Sequence, residues 1–189
     1  MKEIVEKAIS ESIELKEKLK EFSNRIYEVA TVISEAIRDG KKVIIFGNGG
    51  SAADSQHFAT ELVCRFEKTR PGIKAIALNT NSSLITATGN DFGFEEIFSR
   101  QVEVLGEKGD IAIGITTSGN SENIIRAIDR AKEKGLITVA LSGRDGGRMK
   151  GRADYEIIVP GKRTSRIQEA HILIIHILCE IIEKIIFNL

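Results

Sequence analysis

Five short apolar runs, most of them separated by helical patterns, constrain the fold of this chain more than any other feature. The runs lie at residues 43–46, 73–78, 111–115, 137–141 and 155–159. The spacing of the apolar residues between and after them predicts helices at 51–66, 82–88, 95–105, 121–134 and 164–187. Because no hairpin turn joins two of the runs, the pattern indicates an α/β fold with a five-stranded parallel sheet and helices on both faces.

Residues 1 to about 39 precede this alternation and are predicted to be helical, with a break near residues 22–24. Their apolar side chains form a stripe that one domain does not fully cover, and a helix-mediated oligomer is a natural use for such a stripe. The length of 189 residues fits one domain with a sizeable core. We therefore expect a single domain over 1–189, with 1–39 as its N-terminal helical segment.

Composition excludes several classes of partner. Lys plus Arg and Asp plus Glu each number 27, so there is no basic surplus of the kind that nucleic-acid binding uses. The longest apolar segment, 172–179, is interrupted by His176 and is too short to cross a membrane. Cys64 and Cys179 lack C-x-x-C spacing and no signal-peptide core is present, so we expect reduced, packed thiols in a cytoplasmic protein.

A hydroxyl-rich loop follows the third run and leads directly into a predicted helix: Thr116-Thr117-Ser118-Gly119-Asn120-Ser121. Free backbone N–H groups, the positive end of the helix and hydroxyl donors meet in such a loop, which suits the phosphate of a small molecule. The GxxxxGK[ST] spacing is absent, so this is not a nucleotide P-loop. The alternative is a polar β–α turn in which Ser118 or Ser121 caps the helix.

A glycine-rich loop follows the first run: Gly47-Asn48-Gly49-Gly50-Ser51. Its glycines permit positive φ angles and close approach of the backbone to a ligand. A dinucleotide site would need a third glycine where Ala52 stands, so that function is excluded. Both loops follow parallel strands and are expected at the carboxyl edge of the sheet, where ligands of such folds bind.

Two predicted helices carry polar side chains at helical spacing. His57 and Glu61 are four residues apart and share a helix face, while Gln168 and His176 are eight apart along one stripe. If the four converge, they could hold a divalent cation, with zinc the best match. The alternatives are a solvated His57–Glu61 pair and a buried His176 bound to a backbone carbonyl or a water. His171 lies elsewhere around the helix and is expected at a surface or an interface.

Five separated motifs occur in order over nearly the whole chain. They are F-G-N-G-G-S-A-A-D-S-Q-H-F-A-T-E-L (46–62), G-N-D-F-G-F (89–94), T-T-S-G-N-S (116–121), L-S-G-R-D-G-G-R-M (141–149) and R-I-Q-E-A-H-I-L-I-I-H (166–176). Together they resemble the phosphoheptose isomerases, a family of sugar-isomerase (SIS) domain proteins. The resemblance implies a flavodoxin-like three-layer sandwich and interconversion of sedoheptulose 7-phosphate and glycero-manno-heptose 7-phosphate. It also implies a homotetramer whose active sites are shared between subunits. The implied reaction supplies activated heptose for a bacterial surface polysaccharide such as lipopolysaccharide.

The resemblance further implies roles for individual residues. Glu61 is the implied general base and His176 its acid–base partner. One zinc ion per subunit is implied at His57, Glu61, Gln168 and His176. Substrate contacts are implied at Asn48, Gly49, Gly50, Ser51, Glu61, Arg65, Asn90, Asp91 and Gln168, and phosphate contacts at Thr116, Thr117, Ser118 and Ser121.

Two positions depart from the family pattern. Thr116 stands where serine is more usual and keeps the hydroxyl, whereas Ser165 stands where an aspartate often helps to bind the sugar. The serine-containing segment, with I-A-L-N-T (76–80) and S-A-A (51–53), is also similar to non-catalytic SIS proteins that associate with the replication initiator. Those regulators tend to lack the acidic and histidine pair that is present here. A regulator of that kind, or a sugar-phosphate sensor without turnover, is the alternative function.

Overall fold

The structure, a computed structural model, describes residues 1–188, and its elements alternate as the apolar pattern predicts. The strands are β1 (Val43–Gly47), β2 (Ala75–Ala77), β3 (Ile111–Thr116), β4 (Ile137–Gly143) and β5 (Tyr155–Val159). The helices are α1 (Lys2–Lys18), α2 (Ser23–Arg38), α3 (Gly50–Val63), α4 (Ser82–Asp91), α5 (Ser99–Leu105), α6 (Glu122–Glu133) and α7 (Thr164–Phe187). Neighbouring strands are all parallel in the order β2-β1-β3-β4-β5, which confirms the predicted sheet.

Successive residues of each strand point to opposite faces of the sheet, and both faces are apolar. On β1, Val43 and Ile45 pack into a core shared with α2, α3 and α7. Ile44 and Phe46 pack into a second core, shared with α5 and α6. Every residue of β1 and β3 is buried, because helices cover the sheet on both sides. This is the three-layer sandwich that the resemblance implies.

The N-terminal segment is helical, and its break falls at a 3-10 turn over Leu19–Phe22. Helix α2 packs against α7 and buries Val29 and Ile33 completely. Helix α1 buries only Leu15. Four of its apolar side chains are more than half exposed on the single chain: Ile4, Val5, Ile9 and Ile13. The stripe predicted from the sequence is therefore present, and the described part of the chain does not cover it.

Some details differ from the sequence prediction. The strand expected at 73–78 shortens to β2, which pairs only with β1 at the edge of the sheet. The helix expected at 95–105 divides into a 3-10 turn at Phe94–Glu96 and α5. Cys64 is exposed instead of packed because it directly follows the end of α3, whereas Cys179 is buried on α7 as expected. Over residues 1–188, no helix has both the length and the apolar character needed to cross a membrane.

The strand order places two loops side by side at the carboxyl edge of the sheet. Strand β1 lies between β2 and β3, so the chain moves outward from β1 first in one direction and then in the other. Gly47 and Ile115 are register partners, and the loops that follow β1 and β3 leave the sheet next to each other. Such a switch point forms the crevice in which open α/β sheets bind ligands.

Candidate active site

The loop between β3 and α6 is ordered by its own hydroxyl groups. Thr116 Oγ1 and Ser121 Oγ lie 3.2 Å apart, and the backbone N–H of Asn120 donates to Ser118 Oγ over 3.1 Å. Gly119 has a φ of +67°, and a Cβ there would lie 1.9 Å from the carbonyl oxygen of Gly146. Glycine is therefore required at this turn.

The capping alternative places Ser121 correctly, but the capping hydrogen bond that it implies is not formed within the described part of the chain. Ser121 occupies the N-cap position of α6, but within residues 1–188 its hydroxyl makes no bond to a backbone N–H of that helix. Ser118 accepts its bond from the loop, not from α6. The hydroxyls consequently lie at the N-terminal end of α6, where the helix dipole is positive, and this favours the anion-site interpretation.

The glycine-rich loop after β1 lies against α7. Gly49 has a φ of +57°, and a Cβ on Gly50 would lie 2.1 Å from Gln168 Nε2. The absence of a side chain at Gly50 thus lets the Gln168 amide approach the backbone. Ser51, in the first turn of α3, is 3% exposed. The structure brings Gln168 to the glycine-rich loop, as a shared substrate site requires.

Two asparagine amides join the two loops. Asn48 Nδ2 donates to Asn123 Oδ1 over 2.8 Å, and Asn123 Nδ2 donates to Asn48 Oδ1 over 2.9 Å. Asn123 Oδ1 also accepts the backbone N–H of Ile124. Sequence analysis missed Asn123, although its place just after the hydroxyl-rich loop and in the first turn of a helix was a usable signal. The pair fixes the separation of the two loops.

An open pocket of about 310 Å³ adjoins this pair and is lined by Asn48, Phe94, Glu95, Ser121, Glu122, Asn123 and Arg126. At its rim, Arg126 pairs with two carboxylates, those of Glu96 and Glu122. A cavity of similar volume, about 320 Å³, lies between α1 and the β5–α7 connection, and none of the described residues that line it belongs to either loop. Of these two pockets, the first includes residues of both loops, Asn48 and Ser121, and is therefore the candidate ligand pocket.

His57 and Glu61 on α3 meet His176 on α7. His57 Nε2 lies 3.0 Å from His176 Nε2 and 3.1 Å from Glu61 Oε1. Two imidazole nitrogens at this distance need a proton or a cation between them, because otherwise two lone pairs face each other. The three side chains therefore converge as predicted. His176 is only half-buried and contacts a histidine, so its predicted burial against a carbonyl or a water is wrong.

Gln168, the fourth residue of the expected zinc set, lies eight residues from His176 on α7 and contacts the glycine-rich loop. Eight residues correspond to about 12 Å along a helix axis. Among the described residues, no three His, Cys, Asp or Glu side chains form a ready-made metal-binding group. Zinc therefore stays a prediction.

Asp54 lies one turn before His57 on α3. Its Oδ2 atom is buried and has no hydrogen-bond partner among residues 1–188. Burial raises the pKa of Asp54 to about 6, and the charge of nearby His57 opposes this rise. The Asp54 carboxyl consequently changes its protonation in mildly acidic solution, which alters the charge beside His57.

His171 is fully buried, so its predicted place at a surface or an interface is wrong. Its Nε2 atom lies 2.9 Å from the carbonyl oxygen of Ser142 at the end of β4. Burial lowers the pKa of His171 to about 4, although the Ser142 carbonyl favours the charged form. His171 shares the buried side of α7 with Ile167 and Ile174, a repeat that the sequence contained.

Three expected substrate residues lie apart from the rest. Arg65 follows the end of α3 and is exposed. Asn90 and Asp91 end α4, are exposed, and bond to each other through Asn90 Nδ2 and Asp91 Oδ1 at 2.8 Å. Within residues 1–188, no hydrogen bond joins these three side chains to the two loops or to His176.

Comparison with known proteins identifies the class. Residues 9–143 match the family described as SIS domain, which agrees with the parallel sheet and the two loops at its switch point. The chain is 53% identical over 187 residues to the phosphoheptose isomerase of Aquifex aeolicus, covering 98% of each. It is also 53% identical over 191 residues to that of Sulfurimonas denitrificans, covering 100% of this chain and 98% of the relative.

Solved structures of phosphoheptose isomerases have the same fold as this chain. The phosphoheptose isomerase of Neisseria gonorrhoeae superposes with a TM-score of 0.92 at 41% identity, covering 97% of this chain and 98% of the other. That of Francisella tularensis gives a TM-score of 0.93 at 38% identity, covering 96% and 97%. The chain therefore belongs to the phosphoheptose isomerase family and is an enzyme of the isomerase class.

Proposed function

We propose that this chain isomerises D-sedoheptulose 7-phosphate to D-glycero-D-manno-heptose 7-phosphate through an enediolate. The observation that carries the proposal is the contact of Glu61 and His176 with His57, on a chain that also keeps a complete anion loop. The relatives named phosphoheptose isomerase match this chain over nearly its whole length, which supports the substrate.

The reaction moves hydrogen between C1 and C2 of the open-chain sugar. The Glu61 carboxylate removes a proton from C1, which is acidic because it lies next to the C2 carbonyl. His176 donates a proton to O2 and accepts one from O1, and the enediolate forms. Glu61 then returns its proton to C2, leaving the aldehyde at C1. The hydroxyl-rich loop holds the phosphate, and this remote binding energy keeps the reacting carbons in place.

We also propose one zinc ion per subunit, held by His57, Glu61, Gln168 and His176. The donor set fits, since imidazole nitrogen and carboxylate oxygen are the usual zinc ligands and two imidazole Nε2 atoms already face each other at 3.0 Å. A bound zinc ion supplies polarisation of the carbonyl and stabilisation of the enediolate oxygens. Glu61 is a stronger base when it is free of the metal, so we expect it to accept the C1 proton in that state.

The proposed assembly is a homotetramer that works in the cytoplasm. The apolar side chains of α1 that stay exposed on the single chain support an assembly through this helix. We propose that Arg65, Asn90 and Asp91, which lie apart from the site in one chain, contribute to the site of a neighbouring subunit. Light scattering after size-exclusion chromatography tests the tetramer, and a monomer would contradict it.

The central test is to incubate the protein with sedoheptulose 7-phosphate and to follow the sugar by NMR. Isomerisation predicts growth of the aldose C1 signals. In heavy water, solvent deuterium would appear at C2, because Glu61 exchanges its proton with solvent while the enediolate persists. A folded protein that leaves the ketose unchanged would reject the proposal. Capture of the replication initiator by such an inactive protein would favour the regulatory alternative.

A further inference from the structure

The segment that connects α3 to β2 has little regular structure, yet one carboxylate organises it. Glu183 of α7 accepts backbone N–H bonds from Phe66, Glu67 and Lys68 at 3.4, 3.2 and 3.1 Å. Its Oε1 atom also accepts a bond from Arg70 Nε at 2.9 Å. A single buried side chain thus satisfies three backbone donors and one guanidinium.

Arg70 extends this arrangement to the end of α3. Its Nη2 donates to the carbonyl oxygen of Glu61 over 2.7 Å, and its Nη1 donates to that of Leu62 over 2.8 Å. These carbonyls belong to the last turn of α3, where helix carbonyls lack partners within the helix and a positive charge is favourable. Arg70 therefore caps the turn that carries Glu61.

The Glu183 carboxylate also holds the backbone of Phe66, whose ring lies beside His176. Phe66, whose N–H is held by Glu183, places its ring 5.7 Å from the His176 imidazole. Glu183 lies seven residues after His176 on α7, which is two helical turns. The buried Arg70–Glu183 pair consequently binds the backbone of the expected base, Glu61, through Arg70. Through Glu183 it also holds Phe66, the ring that lies beside the expected acid–base partner, His176.

We propose that the Arg70–Glu183 pair is a positioning pair that fixes Glu61 relative to His176 during isomerisation. This inference rests on the proposed function. The Arg70 and Glu183 side chains are 3% and 4% exposed, so water does not compete for their bonds. Neither side chain reaches the substrate loops, and both act through Glu61, Phe66 and the contact of α3 with α7.

The test uses conservative variants. Arg70→Lys keeps the charge, but one ammonium group cannot bond Glu183 and both α3 carbonyls in the planar arrangement of a guanidinium. Glu183→Gln keeps the shape, but its amide N–H₂ faces backbone donors. We expect kcat on sedoheptulose 7-phosphate to fall by about tenfold to a hundredfold in each, because small displacements of reacting groups have effects of this size. KM should stay within about threefold, since the phosphate loop is unchanged.

Asp110 provides a matched control. Its carboxylate accepts the backbone N–H groups of Lys42 and Glu107 and pairs with Lys42 Nζ at 2.6 Å, and its side chain is 1% exposed. It lies just before β3, at the edge of the sheet opposite the two loops. Asp110→Asn should lower the melting temperature as the test variants do and leave kcat unchanged, when all are assayed below their unfolding transitions.

A second readout does not depend on turnover. The chain has three histidines, so the imidazole NMR signals of His57, His171 and His176 can be followed individually. We expect those of His57 and His176 to shift in Arg70→Lys and to stay in place in Asp110→Asn. Wild-type kcat and unmoved His signals in both test variants would overturn the proposal. If both variants are unfolded at every assay temperature, the pair is needed for folding and the proposal also fails. An inactive wild-type protein would instead reject the proposed function.

Discussion

The Nε2 atoms of His57 and His176 lie 3.0 Å apart, although 119 residues separate them in the chain. This contact exists because α3 and α7 lie side by side on one face of the sheet and share its core. Glu61, one turn after His57, contacts the same imidazole. The convergence of the two imidazoles and the Glu61 carboxylate therefore depends on how these two helices pack.

Replacement of Glu61 by Gln should abolish isomerisation while substrate binding persists. The amide keeps the size and polarity of the side chain but cannot accept the C1 proton, and losing one positioned acid–base group lowers rates by about 10² to 10⁴. NMR turnover and calorimetric binding measure the two effects. Glu133→Gln, an exposed carboxylate on α6, serves as the control. Turnover close to wild type in Glu61→Gln would exclude Glu61 as the base.

Protein purified without chelator should contain about one zinc ion per chain, as a four-ligand site implies. His57→Ala should lose it, whereas Gln56→Ala, its exposed neighbour on α3, should retain it. Elemental analysis by mass spectrometry makes the measurement. Full occupancy in His57→Ala, or none in the parent protein grown with ample zinc, would contradict the ligand set. Normal turnover by metal-free protein would show that a bound zinc is not catalytic.

The phosphate loop should control KM. Ser118→Ala combined with Ser121→Ala removes two hydroxyl donors from an anion, and a hydrogen bond to a charged group contributes about 1.5–3 kcal/mol. We expect KM for sedoheptulose 7-phosphate to rise by about a hundredfold or more, with the melting temperature nearly unchanged. Ser10→Ala, an exposed hydroxyl on α1, should leave KM alone. An unchanged KM in the double variant would remove these serines from the phosphate site.

His171 should make a contribution to the free energy of unfolding that is lost in acid. The pKa of this buried ring drops from 6.5 to about 4 in the folded chain. Between these values the unfolded chain binds the proton more readily, so stability is complete above pH 6.5 and decreases as the pH falls towards 4. The full loss is about 3 kcal/mol.

Denaturant unfolding at several pH values tests this against His171→Gln, whose amide can still donate to Ser142. Asp54, with its raised pKa, contributes a slope of opposite sign, because the folded chain holds that proton more tightly. The difference between wild type and His171→Gln isolates the histidine. Parallel stability curves for the two proteins between pH 4 and 6.5 would show that His171 does not titrate in this way.

Features that depend on short stretches of sequence were predictable. Val43 to Phe46 is apolar at every position, which a strand buried on both faces allows and a half-exposed strand does not. Gly119 and Gly49 stand where positive φ angles are needed. The four-residue spacing of His57 and Glu61 was enough to place them on one face of a helix.

Other features escaped prediction for an identifiable reason. Asn123 bonds to Asn48 across two strands, and Glu183 binds a segment more than 100 residues earlier. Helical periodicity gives the angle between two side chains on one helix, but it does not say which side of that helix the rest of the protein covers. Because periodicity does not show which side of α7 is covered, the expectations for His171, which is buried, and for His176, which is half exposed, were wrong.

The sequence by itself determined the parallel sheet, the glycine-rich and hydroxyl-rich loops at its carboxyl edge and the placement of His57 and Glu61 on one helix face. These follow from local periodicity, from turn chemistry and from the rule that parallel strands end at the same edge. Only the tertiary structure decided that His57 meets His176 and that Arg70 and Glu183 hold the end of α3. The rotation and depth of each helix on the sheet come from side-chain packing summed over the whole core, which no short stretch of sequence contains.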